Sequence, residues 1–128
     1  MMKETFDISQ KAVIVPITIE ADGLIHRFFF IVDTGSYETL ICEKTIRIIG
    51  YTPADSFEDV PVHTVSGSST AYRYAIDNIT ALGISRKGLK VISLQMPAGS
   101  GAHGLLGLDF FEEKDLYISF RKGTIRVD

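Results

Sequence analysis

The chain has 128 residues, of which 45% are hydrophobic and 23% charged, and this makeup excludes a disordered chain and fits one globular domain. Thirteen Lys and Arg residues against sixteen Asp and Glu residues leave a net charge of −3, so no nucleic-acid partner is expected. The longest strictly apolar run, Phe28 to Val32, is far shorter than the roughly 20 residues that span a bilayer, so no membrane association is expected either.

The single cysteine, Cys42, cannot form an intrachain disulfide, and the first residues contain acidic side chains where a signal peptide would be apolar. We therefore expect a cytoplasmic protein with one domain over residues 1–128. The three histidines are scattered, so neither a metal site nor a thiol dyad with Cys42 is indicated, and a buried structural thiol is the better interpretation. No cofactor is expected.

Apolar and polar residues alternate in the first part of the chain, which is typical of β-strands. Val13 to Ile19 and Leu24 to Val32 predict the two strands of a hairpin, because Asp22-Gly23 suits a tight turn with positive φ angles. The second strand ends in the unbroken apolar run Phe28 to Val32. We therefore expect this strand to be covered on both faces.

A short strand at Thr39 to Ile41 leads into a helix predicted over Cys42 to Ile49, because the apolar residues there follow a helical period and Gly50 and Pro53 stop it. The rest of the chain predicts strands and turns. The predicted strands are Val60 to Val65, Thr70 to Leu82 and Leu89 to Met96. A further strand from Leu105 leads into a short helix up to Glu113, and Leu116 to Phe120 forms a hairpin with Thr124 to Val127. The predicted turn is Ser66 to Ser69, and the predicted loop is Pro97 to Ala102.

The segment Asp33-Thr34-Gly35-Ser36 follows the most apolar strand directly. Asp, Gly and Ser are common in ordinary surface turns, and a tripeptide such as Asp-Thr-Gly also occurs by chance. However, a carboxylate at the end of a buried strand bears a desolvation cost that surface turns avoid. Its position therefore indicates a chemical role.

Three further features follow in order: a polar hairpin tip centred on Gly67, the signature Leu105-Leu106-Gly107 before a short helix, and a closing hairpin. With Asp33 to Ser36, these features resemble the retropepsin-like aspartic proteases, and the pattern is closest to their bacterial and DNA-damage-inducible members. The resemblance covers nearly the whole chain. It implies an all-β, pepsin-like single-lobe barrel with one or two short helices.

The resemblance implies that Asp33 is the catalytic carboxylate and faces Asp33 of a second subunit in a homodimer. Two carboxyl groups held so close share one proton, and a water between them attacks the peptide carbonyl of a peptide or protein substrate. The resemblance assigns support of the active-site loop to Thr34, Gly35, Ser36 and Gly107. Thr34 is expected to hydrogen-bond across the dimer, and Gly107 to pack behind the loop.

By the same resemblance, the hairpin tip with Ser66, Gly67 and Ser68 is a flap that closes over the substrate; a solvated turn is the competing interpretation. The chain departs from retroviral enzymes at Tyr37-Glu38 and at Leu108-Asp109, where those enzymes carry further acids and an Arg. These departures affect subsite recognition and the ion pairs that support the dimer.

Two other functions were weighed. Gly99 to Gly104 spell G-x-G-x-x-G after a predicted strand, but only twenty-four residues follow, too few for the rest of a dinucleotide-binding sheet. The main alternative is a non-catalytic homodimeric peptide-binding module with the same fold, and a plain structural domain ranks below it.

Overall fold

The computed structural model describes residues 2–95 and 102–128. These ranges contain ten strands and three short helices, so the all-β prediction is confirmed. The strands are β1 (Met2–Thr5), β2 (Ile14–Ala21), β3 (Leu24–Val32), β4 (Leu40–Cys42), β5 (Glu58–Thr64), β6 (Gly67–Ala81), β7 (Ile84–Leu94), β8 (Gly104–Leu106), β9 (Leu116–Ser119) and β10 (Thr124–Val127). The helices are α1 (Glu43–Ile48) and two 3₁₀-helices, Pro53–Asp55 and Leu108–Phe111.

The predicted hairpin of β2 and β3 is confirmed, with the two strands antiparallel along their whole lengths. Asp22 and Gly23 form its turn with φ angles of 51° and 75°, and positive values at both central residues are what a tight primed turn requires. The hairpin therefore fixes the direction in which β3 delivers the residues that follow Val32.

The expectation that β3 is covered on both faces is wrong. Successive side chains of a strand point to opposite faces, so Phe28 and Phe30 are buried while Phe29 between them is 54% exposed. Ile25, which shares the face of Phe29, is exposed as well. An unbroken apolar run therefore does not by itself identify a strand that is buried on both sides.

Seven strands form one sheet in the order β2-β3-β8-β4-β7-β6-β5, and a further pairing of β2 with β6 closes six of them into a barrel. The barrel interior holds the largest buried side chains, which include Phe30, Phe110, Ile19 and Leu106. β8 lies parallel to β3 and antiparallel to β4. Because parallel strands end at the same edge of a sheet, the residues that follow β3 and β8 meet there.

β5 and β6 form a long hairpin whose tip differs from the prediction. Thr64 pairs with Gly67, so only Val65 and Ser66 lie between the strands. The predicted turn over Ser66 to Ser69 is therefore wrong, since Gly67 (φ 130°) and the two serines after it belong to β6. Val65 is fully exposed at the tip.

β7 begins at Ile84, five residues before the predicted Leu89. The reason is a second two-residue turn, in which Leu82 and Gly83 have φ angles of 53° and 75°. Met96 and most of the predicted loop Pro97 to Ala102 lie outside the described residues, so their predictions stay open.

Three shorter strands form a second sheet in the order β1-β10-β9. The hairpin of β9 and β10 confirms the prediction, although β9 ends at Ser119. The sequence analysis missed β1, which pairs with β10 from Met2↔Val127 to Thr5↔Thr124. The chain thus joins its own first and last strands.

Helix α1 confirms the helix predicted over Cys42 to Ile49, and it is one residue shorter at each end. Cys42 is its N-cap residue and is half-buried, whereas full burial was expected. None of the helices in residues 2–95 and 102–128 is long and apolar enough to cross a membrane.

Candidate active site

Asp33 is the first residue after β3, and the pairing with β8 holds its backbone in place. Its N–H donates a hydrogen bond of 2.9 Å to the carbonyl of Leu106. Its carboxylate Oδ1 accepts a hydrogen bond of 3.0 Å from the N–H of Gly35, and the N–H of Ser36 donates to the Asp33 carbonyl at 3.2 Å. The half-buried Asp33 side chain is therefore oriented by the turn that its own backbone begins.

Gly35 lies close to the carboxylate, because a Cβ atom there would stand 3.3 Å from Asp33 Oδ1. Ser36 stabilises the end of the loop, since its hydroxyl donates a hydrogen bond of 2.9 Å to the carbonyl of Glu38. Thr34 is exposed, and its hydroxyl makes no hydrogen bond to the residues that the structure describes. Of the predicted loop residues, Gly35 contacts the Asp33 carboxylate, Ser36 bonds backbone carbonyls of the loop, and Thr34 faces solvent.

Gly107 is buried directly after β8 and packs against the backbone that continues the Asp33 loop. A Cβ atom at this position would lie 2.6 Å from the carbonyl carbon and oxygen of Glu38 and 2.9 Å from the carbonyl oxygen of Ser36. No real side chain makes such contacts with backbone atoms. Glycine is therefore required here for β8 to approach the loop so closely.

The segment after Gly107 is bound to the segment after Asp33 by further hydrogen bonds. Leu108 N–H donates to the Ser36 carbonyl at 2.8 Å, and Asp109 N–H donates to the Tyr37 carbonyl at 3.0 Å. The motifs at Asp33 and Gly107, which are 74 residues apart in the sequence, therefore form one folded unit at the edge of the barrel.

Thr39 and Asp109 belong to this unit, and sequence reasoning missed their role. Thr39 donates to the Asp109 carboxylate from its N–H at 3.0 Å and from its hydroxyl at 2.7 Å. The Thr39 hydroxyl in turn accepts a hydrogen bond of 3.1 Å from Gly107 N–H. The sequence signal for this contact was Asp109, an acid two residues after Gly107.

An ion cluster joins the same loop to the long hairpin. Arg73 in β6 donates to both carboxylate oxygens of Glu38, at 3.0 and 3.2 Å, and to Glu58 in β5 at 2.9 Å. The Arg73 side chain is only 24% exposed. The pKa of Arg73 is raised, first by its hydrogen bonds to Glu38 and then by those to Glu58, so the cluster carries one fixed positive charge between two acids.

Asp33 opens into a groove of about 550 Å³. One wall consists of the last residues of β3 with Asp33, and the other of the segment before β2 with an aromatic ring from the β9–β10 turn. The lining residues are Ile8, Ser9, Gln10, Lys11, Ala12, Val13, Ile31, Val32, Asp33 and Phe120. This lining combines apolar side chains with one carboxylate and a few polar groups, as in clefts that bind an extended peptide.

The predicted flap residues lie on the β5–β6 hairpin. Ser66 is in the two-residue tip, and Gly67 and Ser68 begin β6. The hydroxyl of Ser68 lies 3.3 Å from Nδ1 of His63 across the hairpin. None of the three lines the groove at Asp33, so within one chain the structure does not bring them to the carboxylate.

The sequence over residues 17–113 matches the family model described as gag-polyprotein putative aspartyl protease. Among curated proteins none matches the chain. The structure is similar to that of a retropepsin-like aspartic protease from Rickettsia conorii, with a TM-score of 0.71 and 15% identity over 97% of this chain and 86% of that chain. This likeness confirms the predicted retropepsin-like, single-lobe fold. Because the family model covers most of its length, the chain belongs to the gag-polyprotein aspartyl protease family.

Proposed function

We propose that the chain is an aspartic endopeptidase that cleaves peptide bonds with a water activated between two Asp33 carboxylates, one from each subunit of a homodimer. The observation that carries this proposal is the Asp33 carboxylate itself, oriented by Gly35 N–H at the mouth of a groove. The proposal extends to one protease domain over residues 1–128. A place in the bacterial and DNA-damage-inducible branch and a cytoplasmic location stay predictions.

The homodimer follows from the number of motifs. The chain contains one Asp-Thr-Gly segment, whereas the proposed mechanism needs two carboxyl groups. A twofold axis beside the loop would supply the second Asp33 from an identical surface. The exposed hydroxyl of Thr34 would then be available for a hydrogen bond across the axis. Gly107 would hold the loop of each subunit in the shape that brings the two Asp33 carboxylates together.

In this dimer one proton is shared by the two carboxyl groups, because two negative charges at that distance repel each other. The ionised Asp33 takes a proton from water as the water oxygen bonds to the peptide carbonyl carbon. The protonated Asp33 gives its proton to the carbonyl oxygen. The Asp33 that took the proton from water then gives it to the leaving nitrogen, and the other Asp33 takes a proton from a hydroxyl of the tetrahedral intermediate. The carbon–nitrogen bond breaks as the carbonyl re-forms, which gives one carboxylic acid and one amine, restores the dyad and involves no covalent enzyme intermediate.

The long β5–β6 hairpin would serve as the cover of this site. Ser66, Gly67 and Ser68 near its tip would contact an extended peptide, and closure of the hairpin would exclude water from the dyad. Arg73 links the base of the hairpin to Glu38, which supports a mechanical connection between cover and loop.

Replacement of Asp33 by Asn tests the proposal. Asn keeps the shape and an oxygen acceptor for Gly35 N–H but cannot exchange a proton, so we expect cleavage of unfolded protein substrates at acidic pH to fall at least about hundredfold. The matched control is Asp22→Asn, which makes the same change in an exposed turn where both residues are favourable. Unchanged cleavage by Asp33→Asn would exclude the mechanism.

Sedimentation velocity and peptide binding complete this test. A strict monomer at concentrations where cleavage is maximal would contradict a shared site. If the wild-type chain binds extended peptides as a dimer and never cleaves them, the non-catalytic peptide-binding module is the correct function.

A further inference from the structure

A cavity of about 240 Å³ lies on the small sheet of β1, β10 and β9 and shares no lining residue with the groove at Asp33. It opens on the outer face of this sheet, because Thr124 and Arg126 alternate along β10 with Ile125 and Val127, which are buried on the other face. The polar residues that line it are Lys3, Tyr117, Ser119, Lys122, Thr124 and Arg126.

Three of these side chains are cations, and no acid of the described chain is among the lining residues. Lys3 and Lys122 are exposed, and neither forms an ion pair with a residue that the structure describes. Arg126 has one acidic contact, in which Oδ2 of Asp128 lies 3.5 Å from its Nη2. Three cations against this one acid leave an excess of positive charge, in a chain whose net charge is −3.

Two of the cations stand directly opposite each other. Lys3 and Arg126 are partners in the antiparallel pairing of β1 and β10. The Cβ atoms of such partners are about 5 Å apart, and two like charges there destabilise a sheet. An anion between the two cations would replace this repulsion with two attractions. Their placement therefore indicates an anionic ligand.

The guanidinium of Arg126 is already oriented for such a ligand. It lies over the ring of Tyr117, its partner across the sheet in β9, at 4.0 Å from the ring centre. A guanidinium stacked on an aromatic ring is held in one plane and presents its N–H groups from the edge of that plane. Nε of Arg126 is buried and has no hydrogen-bond partner in the described chain, and the contact of Nη2 with Asp128 is long. Arg126 therefore keeps donors for a further acceptor.

Hydroxyl groups line the same space. Ser119 Oγ accepts a hydrogen bond of 3.2 Å from the N–H of Lys122, which leaves its own proton for a second partner. Thr124 is the partner of Ser119 across the hairpin and is half-buried, as Ser119 is. Positive charges and hydroxyl donors thus reach the cavity from all three strands and from the β9–β10 turn.

This set of donors suits a phosphate group better than a carboxylate. A phosphate carries up to two negative charges and three strong acceptor oxygens that point in different directions, so it can use donors that arrive from several strands. A water molecule takes up about 30 Å³ in the liquid, so a cavity of about 240 Å³ has room for a phosphate group with a small substituent.

We propose that this cavity binds a phosphate group through Lys3, Lys122 and Arg126, either as inorganic phosphate or as the monoester of a small molecule. The inference does not depend on the proposed protease function. Because Lys3 lies in β1 and Arg126 in β10, the bound ligand ties β1 to the hairpin of β9 and β10. A ligand that binds the folded chain in this way also raises its stability against unfolding.

The experiment titrates inorganic phosphate, and separately glycerol 3-phosphate, into the full chain and follows the backbone amide signals by NMR. We expect saturable shifts in β1, β9, β10 and the β9–β10 turn, with a dissociation constant on the order of 1 mM at low ionic strength. Binding should weaken in about 0.5 M sodium chloride, which screens exposed charges. Tighter binding of glycerol 3-phosphate identifies a monoester as the ligand, and tighter binding of inorganic phosphate identifies the free ion.

Variants test whether the named side chains are responsible. Lys3→Gln/Lys122→Gln removes two exposed charges and should weaken phosphate binding at least about tenfold. Arg126→Lys keeps the charge and loses the planar fork, so it should also bind more weakly. The control Lys44→Gln/Lys87→Gln removes two exposed charges outside the cavity and should bind as the wild-type chain does.

Three results would overturn the proposal. One is the absence of saturable shifts at phosphate concentrations far above the expected dissociation constant. Another is a set of shifts that lies outside the small sheet. The third is an equal loss of binding in the cavity variant and in the control, which would mean that phosphate responds to the overall charge alone. Circular dichroism of each variant shows that it is folded, and the first two results need no variant.

Discussion

Thr39 holds Asp109 through two of its own groups, with the N–H at 3.0 Å and the hydroxyl at 2.7 Å from the carboxylate. Thr39 lies just before β4 and is fully buried, and Asp109 lies in the 3₁₀-helix that follows β8. Their contact closes the unit that carries Asp33, because the hydroxyl of Thr39 also accepts a hydrogen bond from Gly107. The geometry of the active-site loop thus depends on a carboxylate that is not itself part of the proposed chemistry.

Replacement of Asp109 by Ala should therefore destabilise the fold. It removes a charged acceptor and leaves the buried donors of Thr39 without a partner, so we expect the free energy of unfolding to fall by about 2–3 kcal/mol. Urea unfolding followed by circular dichroism measures this change. Asp115→Ala, which removes an exposed carboxylate directly before β9, is the control, and a loss equal to that of the control would contradict the assigned role.

Replacement of Gly107 by Ala should distort the Asp33 loop. The added Cβ atom would lie 2.6 Å from backbone atoms of Glu38, which can be relieved only if β8 or the loop moves. We expect a loss of about 1–3 kcal/mol in stability and a larger proportional loss of peptide cleavage. Leu108→Ala is the control because its side chain, next along the chain, is 46% exposed. Wild-type cleavage by Gly107→Ala would show that the loop does not depend on this contact.

The Arg73–Glu38 pair should be more strongly coupled than an ordinary surface ion pair. Arg73 is 24% exposed and binds both oxygens of Glu38, whereas the pair of Arg47 and Glu43 on helix α1 is 64% and 51% exposed and uses one contact. Double-mutant cycles to Gln at each pair should give a coupling free energy of about 1 kcal/mol or more for the first and about 0.3 kcal/mol for the second. Equal couplings would mean that Arg73 does not join hairpin and loop.

Mixed dimers provide a test of the shared site. When equal amounts of wild-type chain and Asp33→Asn exchange subunits, about a quarter of the dimers hold two Asp33 residues, so activity per wild-type chain should fall to about half. Mixing with Asp22→Asn should leave activity per chain unchanged. If activity per wild-type chain is unchanged after complete exchange with Asp33→Asn, each active site lies within one chain.

The sequence predicted the parts of the site that are local in the chain. Asp33 to Ser36 and the signature at Gly107 are short segments whose residue types reflect their own backbone, so the pattern located both. The Asp22-Gly23 turn was equally predictable, because two positive φ angles require particular residues.

The Arg73 cluster was not predictable, because it depends on the register of a hairpin. Glu58 stands opposite Arg73 because Val65 and Ser66 form a two-residue turn. If the predicted four-residue turn had formed, the register would shift and Arg73 would face Val62. Val65 is a poor turn residue, so the local pattern favoured the serines that follow it. The exposure of Phe29 was missed for a related reason, since a run of apolar residues hides the alternation that assigns each side chain to a face.

The parallel pairing of Ile31 with Leu105 brings together residues seventy-four positions apart. Such a contact closes a long chain segment and so forms late in folding, after local hairpins such as that of β2 and β3. During synthesis Asp33 would leave the ribosome long before Gly107 does. The loop at Asp33 therefore acquires its final shape only after Gly104 to Gly107 have been synthesised, and the proposed protease would be inactive until then.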